Sequence, residues 1–204
     1  MEPNSPDTIA IVDYGAGNLT SVKNAFAALG VETVVTRDPA VVAAAARIVF
    51  PGVGAALSAM ERLRSLGLES AVKSAAASGR PFLGICLGMQ ILFEHSEEDG
   101  GVDTLGILPG RVRRFPKVPG VKVPQIGWNN VKAVSPAAAA NDGEFYYFVH
   151  SYYVEKTADT ALAAEYAGVE FSAMVRRGNL WACQFHPEKS GRTGLKLLSE
   201  WLRL

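Results

Sequence analysis

Short apolar runs alternate with amphipathic segments through the first ninety residues of the chain. Runs of this length, rich in Ile, Val and Phe, predict buried strands, and apolar residues recurring every three or four positions predict helices. We predict strands at 9–12, 31–36, 48–50 and 82–85, and helices at 19–29, 39–46, 55–66 and 68–78. This alternation favours a mainly parallel sheet with helices on both faces. Ligands in such sheets bind at the carboxyl ends of the strands.

The pattern changes after residue 95. A charged turn at 97–101, expected to be solvated, leads into a strand-rich half that begins at 107–115 and carries prolines at 109, 116, 119, 124 and 136. Further strands are predicted at 161–166, 171–175 and 180–185, and an amphipathic helix at 193–202. Consecutive strands here are expected to pair antiparallel, which makes the sheet mixed.

Composition narrows the class of protein. A chain of 204 residues with 49% hydrophobic content suits one compact domain, predicted at 8–204, after a flexible tail at 1–7. Twenty basic and twenty acidic residues argue against nucleic acid as a partner. The two cysteines argue against a disulfide framework and for a reducing compartment. The polar start does not resemble a signal peptide, and the apolar stretches are too short for a membrane span, so a cytoplasmic location is expected.

Cys86 stands where a predicted strand turns into a predicted helix that runs toward His95. Gly84 and Gly88 flank it at two residues on either side, a spacing that suits a sharp strand-to-helix turn because a Cβ at either place would crowd the backbone. A thiol at a helix N-terminus meets unpaired N–H groups that favour thiolate. The alternative is a small buried apolar residue, and a nearby base would decide between the two.

The chain has three histidines, so the search for that base is short. His186 ends an apolar segment and is followed two residues later by Glu188. In extended chain these two side chains share a face, and the carboxylate can then orient the imidazole. We predict Cys86, His186 and Glu188 as nucleophile, base and orienting group. Cys183 falls on the opposite face and is interpreted as core.

The other two histidines are weaker candidates. His150 has no carboxylate two residues on, and His95 is expected at the surface. No group of Cys and His residues has the spacing of metal ligands, so neither a metal nor an organic cofactor is expected.

Pro51-Gly-Val-Gly54 follows the third predicted strand and exposes backbone N–H groups that can line an oxyanion hole. The alternative is an ordinary glycine-rich turn. A dinucleotide fingerprint around Gly15 and Gly17 is rejected, since position 20 holds Thr20 instead of a third glycine.

Together these motifs resemble the class I, or triad, glutamine amidotransferase family. The resemblance rests on Gly84-Ile-Cys-Leu-Gly-Met-Gln90 and on His186-Pro-Glu188, about a hundred residues later. Within the family, Asp13-Tyr-Gly-Ala-Gly-Asn18, Pro51-Gly-Val-Gly54, Gly127-Trp-Asn129 and His186-Pro-Glu-Lys-Ser190 are similar to the glutaminase subunits of imidazole glycerol phosphate synthases. The similarity extends from about residue 9 to the C-terminus. It implies a flavodoxin-like α/β fold with an open, mixed, mainly parallel sheet.

The resemblance also implies roles for individual residues. The N–H groups of Gly52, Val53 and Leu87 would form the oxyanion hole. Glutamine would lie against Gly54 and against the segment of Ser151 and Tyr152. Gln90, one helical turn beyond the cysteine, is expected to contact the α-groups of the substrate. Asn18 and Trp128 would face a partner protein, and Lys189 and Trp128 are candidates for passing a signal from it.

The implied function is hydrolysis of L-glutamine through a Cys86 thioester, with ammonia passed to a (β/α)8-barrel cyclase in a heterodimer. That cyclase makes imidazole glycerol phosphate and aminoimidazole carboxamide ribonucleotide in histidine biosynthesis. Alternatives are a glutaminase that serves pyridoxal phosphate, anthranilate or GMP synthesis, or a non-catalytic regulatory module of the same fold. We also predict a glutaminase that is nearly silent until the partner carries its own ligand, because a glycine-rich segment can hold its peptide planes in two orientations.

Overall fold

A computed structural model describes residues 8–15 and 17–204, so the predicted tail at 1–7 lies outside the described residues. The described part contains strands β1 Ile9–Val12, β2 Thr33–Thr36, β3 Arg47–Gly52, β4 Phe82–Cys86, β5 His95–Ser96, β6 Val102–Asp103, β7 Arg111–Arg114, β8 Gln125–Asn130, β9 Lys132–Ala133, β10 Phe145–His150, β11 Tyr152–Val154, β12 Thr160–Tyr166, β13 Val169–Arg177 and β14 Leu180–Cys183. Its α-helices are α1 Leu19–Ala28, α2 Pro39–Ala44, α3 Ala56–Ser65, α4 Leu68–Ala77, α5 Leu87–Gln90 and α6 Gly191–Trp201. Short 3-10 helices span Glu98–Gly100, Pro136–Asn141 and Pro187–Lys189.

The main sheet has eight strands in the order β2-β1-β3-β4-β14-β13-β12-β9. The first five strands of that order run parallel and the remaining pairings are antiparallel. The predicted α/β class, with a mixed and mainly parallel sheet, is confirmed. Two smaller sheets, β10-β8 and β11-β7-β5-β6, stand apart from it. We had expected the second half to extend one open sheet, so these two sheets are an addition to the prediction.

Helices cover both faces of the main sheet because its parallel strands are apolar on both sides. On one face, Ile48 and Phe50 of β3 share a buried cluster with residues of α2, α3 and α4. On the other, Val49 of β3 packs in a second cluster with α1 and α6, where Phe26 and Trp201 meet edge to face at 5.8 Å. The single strand β3 therefore contributes to both cores.

Strand register sets the position of the cysteine. Gly52, the last residue of β3, lies opposite Cys86, the last residue of β4. On the other side of β4, Cys183 of β14 lies opposite Ile85. The segment that carries His186 therefore leaves the sheet beside Cys86, at the carboxyl ends of three neighbouring parallel strands.

The helix after Cys86 is shorter than predicted. It ends at Gln90, because the carbonyl groups that would extend it accept hydrogen bonds from a later loop. The N–H of Leu105 donates to Ile91 at 2.9 Å, and Thr104 Oγ1 donates to Phe93 at 2.6 Å. His95, which was expected at the surface, lies half-buried in β5, and its Nδ1 is 2.9 Å from Asp103 Oδ1.

None of the helices in residues 8–15 and 17–204 combines the length and the apolar character needed to cross a lipid bilayer.

Candidate active site

Cys86 occupies a strained turn between β4 and α5. Its φ of 55° and ψ of −113° are unusual for a residue with a side chain, and such strain is concentrated at functional sites. The flanking glycines let the turn pack tightly. A Cβ on Gly88 would overlap the carbonyl oxygen of Phe50, and one on Gly84 would come within 3.0 Å of the Ala182 Cβ. The close packing therefore explains both glycines and fixes the thiol at the edge of the sheet.

His186 and Glu188 form a buried pair. The imidazole Nδ1 donates to Glu188 Oε1 at 2.8 Å, and both side chains are 3% exposed. Burial alone would lower the pKa of His186, but the Cys86 thiol and the Glu188 carboxylate outweigh it and raise that pKa. An imidazole held in this way is suited to accept a proton from the thiol.

The way in which Glu188 reaches His186 differs from the prediction. Strand β14 ends at Cys183, and Pro187–Lys189 forms a single 3-10 turn instead of a strand end. Proline is favoured at the first position of such a turn, since its fixed φ suits a helix and its missing N–H is not needed there. The carboxylate therefore comes back to the imidazole through a turn and not through strand alternation.

In the observed conformation the thiol is near the base but is not bonded to it. His186 Nε2 is buried and has no hydrogen-bond partner among the described residues. The Cys86 sulfur lies 3.9 Å from the carbonyl oxygen of Val149 and 3.7 Å from Gln184 Nε2. Catalytic hydrogen bonds are often loose in free enzymes and tighten when substrate binds.

Cys183 is a buried thiol with no exposed area, 3.7 Å from the Gly84 carbonyl. Burial first, and then the charges of Glu188 and Cys86, raise its pKa. A buried, neutral thiol packed against backbone behaves as core.

A cavity of about 330 Å³ opens over Cys86 and is lined by Val53, Gly54, Cys86, Leu87, Gln90, Glu98, Pro124, Val149, His150, Ser151 and Tyr152. This volume is in the range of small-molecule sites. Every residue predicted to hold the substrate lies on its wall, together with Val53 and Leu87 of the predicted oxyanion hole. Gly52, the third predicted member, lies beside them in β3, opposite Cys86.

The orientation of Gln90 follows from its partners. Its Nε2 donates to the Tyr152 carbonyl at 2.8 Å and to Gln184 Oε1 at 2.9 Å. A carbonyl only accepts, so the atom that faces Tyr152 must be the amide nitrogen. Both N–H groups of Gln90 are thus used within the protein, and its oxygen is left as the group that can meet a ligand.

His150 also lines the cavity, but it is not suited to act as a base. Burial is the main reason that its pKa falls to about 4, despite a 2.8 Å hydrogen bond from Nδ1 to the Tyr152 carbonyl. The imidazole is neutral near pH 7 and supports the wall of the cavity.

Glu98 is a site residue that our sequence interpretation missed, because it lies in the segment that we expected to be a solvated turn. Its Oε2 accepts the N–H of Ala56, the first residue of α3, at 2.8 Å. Burial is the main cause of the raised pKa of this carboxyl. One signal was available in the sequence: Ala55 at the start of α3 cannot cap a helix, so a cap had to come from elsewhere.

Gln184 was also missed, although it precedes His186 by only two residues. The amide bridges Cys86 and Gln90 and is fully buried. No spacing rule identified it, since an apolar segment ordinarily buries such a residue without a role.

Tyr14 lies directly beneath the predicted oxyanion segment. It is fully buried, and a Cβ on Gly52 would overlap its hydroxyl group. The hydroxyl has no hydrogen-bond partner in the described part of the chain. Burial, followed by the nearby Cys86, raises the pKa of Tyr14, so the hydroxyl stays neutral.

The residues predicted to face a partner are all exposed. Asn18 caps α1 by accepting the Ser21 N–H at 3.3 Å. Trp128 is 57% exposed and meets the Tyr147 ring edge to face at 6.2 Å. Lys189 Nζ lies 5.9 Å from the centre of the same ring.

Within residues 8–15 and 17–204, no three His, Cys, Asp or Glu side chains converge in a way that would hold a metal ion.

Residues 10–203 of the chain match the family described as glutamine amidotransferase class-I. The imidazole glycerol phosphate synthase subunit HisH of Herpetosiphon aurantiacus is 50% identical over 202 residues, which cover 96% of this chain and 94% of that protein. Proteins of the same name from Aromatoleum aromaticum and Methanothermobacter thermautotrophicus are 52% and 46% identical. They cover 95% and 96% of this chain, and 97% and 98% of their own lengths are matched.

Solved structures show the same fold at much lower identity. A glutamine amidotransferase superposes with a TM-score of 0.73 at 19% identity, covering 96% of this chain and 99% of that one. PurLQS from Thermotoga maritima superposes with a TM-score of 0.72 at 19% identity, with coverages of 97% and 98%.

Proposed function

Because the chain belongs to the class I glutamine amidotransferase family, we propose that it is the glutaminase subunit of an imidazole glycerol phosphate synthase, which acts in histidine biosynthesis. The observation that carries the proposal is the strained Cys86, which shares one edge of the sheet with the buried His186 and Glu188 pair. Relatives that are about half identical over nearly the whole chain are subunits of this synthase. This similarity favours imidazole glycerol phosphate synthase over the other glutamine-dependent enzymes.

The reaction begins with transfer of the Cys86 thiol proton to His186 Nε2. The sulfur attacks the side-chain amide carbon of glutamine, and the carbonyl electron pair moves to the oxygen. Collapse of this intermediate breaks the C–N bond, and the proton on His186 goes to the leaving nitrogen as ammonia departs. Water then adds to the thioester, and its cleavage gives glutamate and regenerates the thiol.

The residues around the cysteine have separate tasks. N–H groups of Gly52, Val53 and Leu87 donate to the developing oxyanion, a contribution worth about a hundred- to a thousandfold in turnover when one donor is lost. Gln90 and Glu98 both line the cavity, and the Gln90 oxygen and the Glu98 carboxylate are hydrogen-bond acceptors. We assign them to the positively charged α-ammonium group of glutamine.

The partner, in this proposal, is the (β/α)8-barrel cyclase that uses the ammonia. Ile126, Trp128 and Phe145, in strands β8 and β10, are 55% to 65% exposed, which is high for large apolar side chains. The same sheet supplies Val149, whose carbonyl faces Cys86. A protein docked on these strands would lie over the opening of the cavity.

The same strands offer a route for a signal. The rings of Trp128 and Tyr147 touch, Lys189 lies over Tyr147, and the His186 N–H donates to the Tyr147 carbonyl at 2.9 Å. A partner that moves Trp128 would therefore act on the segment that holds the base.

The test is to compare Cys86→Ala with Cys183→Ala in complex with the cyclase. We expect Cys86→Ala to lose glutamine-dependent formation of imidazole glycerol phosphate and to keep the reaction driven by added ammonium salt. Cys183→Ala, which removes the second thiol from the core, should keep both. Retained glutamine turnover in Cys86→Ala would refute the assignment of the nucleophile.

A further inference from the structure

Gln184 joins two parts of the site that have different tasks. Its side chain is fully buried beyond the end of β14. One end of the amide, Nε2, lies 3.7 Å from the Cys86 sulfur, and the other end, Oε1, accepts from Gln90 at 2.9 Å. Gln90 lines the ligand cavity, and since its NH2 group is bonded to Tyr152 and Gln184, its oxygen is the group left for a ligand.

The direction of the Gln184 amide is fixed by a neighbour that cannot be reversed. The Tyr152 carbonyl can only accept, so Gln90 must turn its nitrogen toward Tyr152 and Gln184. The atom of Gln184 that faces Gln90 must then be its oxygen. This leaves the Gln184 NH2 group to face the sulfur, as a donor.

The backbone of Gln184 is held as firmly as its side chain. Its N–H donates to the Ala173 carbonyl of β13 at 2.8 Å, which continues the pairing of β13 and β14 beyond the last strand residue. The donor near the sulfur is therefore already in place before substrate binds, and a fixed donor favours the charged form of the group it faces.

We propose that Gln184 is a positioning residue. The NH2 group of its amide donates to the Cys86 sulfur and stabilises the thiolate that forms when His186 takes the proton, while the amide oxygen orients Gln90. The proposal rests on the proposed function for the role of Gln90, but its effect on the sulfur does not depend on which substrate is used.

Replacement of Gln184 by a side chain without a donor lowers the fraction of thiolate at a given pH. A Gln90 variant would also release the Gln184 amide, because Gln90 fixes its direction. The buried amide of Gln125 lies 3.1 Å from His150 Nε2 and makes no hydrogen bond to Gln184, so its replacement leaves the donor to the sulfur in place.

The test is the pH dependence of Cys86 alkylation by iodoacetamide, followed by mass spectrometry of the Cys86 peptide in the full chain. Gln184→Met removes the donor at nearly constant volume, and Gln125→Met, at a second buried amide, is the matched control. We expect the midpoint of alkylation to rise by about one pH unit in Gln184→Met, a tenfold loss of thiolate at fixed pH, because hydrogen bonds to charged groups have this magnitude. The midpoint in Gln125→Met should stay within about 0.3 unit of the unchanged protein.

A second readout separates this role from simple packing. In complex with the cyclase, the turnover of glutamine by Gln184→Met should fall about tenfold at neutral pH and recover toward the unchanged value as pH rises by one to two units. A loss that does not recover with pH, or equal midpoints for the unchanged protein and Gln184→Met, would overturn the proposal. Gln184→Leu serves as the donor-free variant if Gln184→Met fails to fold.

The two proposals fail in different ways. Alkylation needs neither glutamine nor the cyclase, so a shifted midpoint in a protein that does not hydrolyse glutamine would refute the proposed function alone. Unchanged midpoints in an active glutaminase would refute only the role of Gln184.

Discussion

The hydroxyl of Tyr14 provides a sharp test of the packing beneath the oxyanion segment. It is fully buried and has no partner in the described residues, and a buried polar group in that state costs about 1–3 kcal/mol. Tyr14→Phe removes the hydroxyl and keeps the ring, which packs against Phe50 at 5.4 Å. We expect this variant to be more stable by about 1 kcal/mol, after a small loss of packing where the oxygen was.

Gly52→Ala supplies the second arm of the experiment. The added methyl group would overlap the Tyr14 hydroxyl and come within 3.0 Å of the Gly88 nitrogen. Overpacking of this kind costs about 1–3 kcal/mol, and the Tyr14 ring is too enclosed to move aside. In the Tyr14→Phe background the first overlap is gone and the second remains. The cost of Gly52→Ala should therefore fall there by about 1 kcal/mol, the coupling expected of residues in contact.

Urea denaturation of the four proteins of this cycle measures both quantities. Thermal unfolding gives a second estimate, since about 1 kcal/mol corresponds to about 2–4 °C in a protein of this size. A Tyr14→Phe variant that unfolds at lower urea concentration would mean that the hydroxyl makes a stabilising bond. Equal costs of Gly52→Ala in the two backgrounds would mean that the strand yields and that the two residues are not pressed together.

Three further predictions concern substrate, pH and partner. Glu98→Gln should raise KM for glutamine about tenfold and leave kcat within about twofold, because a charge that binds the α-ammonium group acts equally before and during the reaction. Steady-state kinetics check this, with Glu97→Gln at the exposed neighbouring residue as the control, and a fall in kcat alone would contradict it. As pH falls from 6.5 to 4, His150 alone should lower stability by about 3 kcal/mol, because its folded pKa is about 4 and the unfolded chain takes up its proton first. The urea midpoint of the unchanged protein should therefore fall relative to that of His150→Gln across this pH range, and parallel curves would refute the assignment. Glutamine hydrolysis should be slow for the isolated subunit and rise about a hundred- to a thousandfold when the cyclase and its nucleotide ligand are added. Equal rates for the subunit, the complex and the liganded complex would refute the hypothesis that the liganded partner activates the glutaminase.

The sequence was sufficient to predict features that depend on neighbouring residues. The glycines around Cys86 predicted the strand-to-helix turn, and the apolar runs predicted the parallel half of the sheet. The His186 and Glu188 pair was also predicted, although a 3-10 turn brings its two members together.

Features that depend on distant contacts could not be predicted in the same way. Glu98 caps a helix that begins more than forty residues earlier in the chain, so its local segment reads as a charged loop. The early end of α5 is set by a loop at 104–108, whose N–H groups bond the carbonyl groups of residues 91–94, directly after the helix. Gln184 depends on contacts with Cys86 and Gln90, more than ninety residues away. Periodicity carries no information about such pairs.

Strand β14 is the last strand of the main sheet in chain order, yet it lies in its interior, between β4 and β13. The parallel and antiparallel parts of that sheet are joined only through it. A chain in which β14 is not yet inserted therefore holds a thiol without a base, and long-range pairings of this kind are slow to form. Glutamine hydrolysis thus becomes possible only once β14 has paired with β4, so molecules that lack this pairing would release no free ammonia.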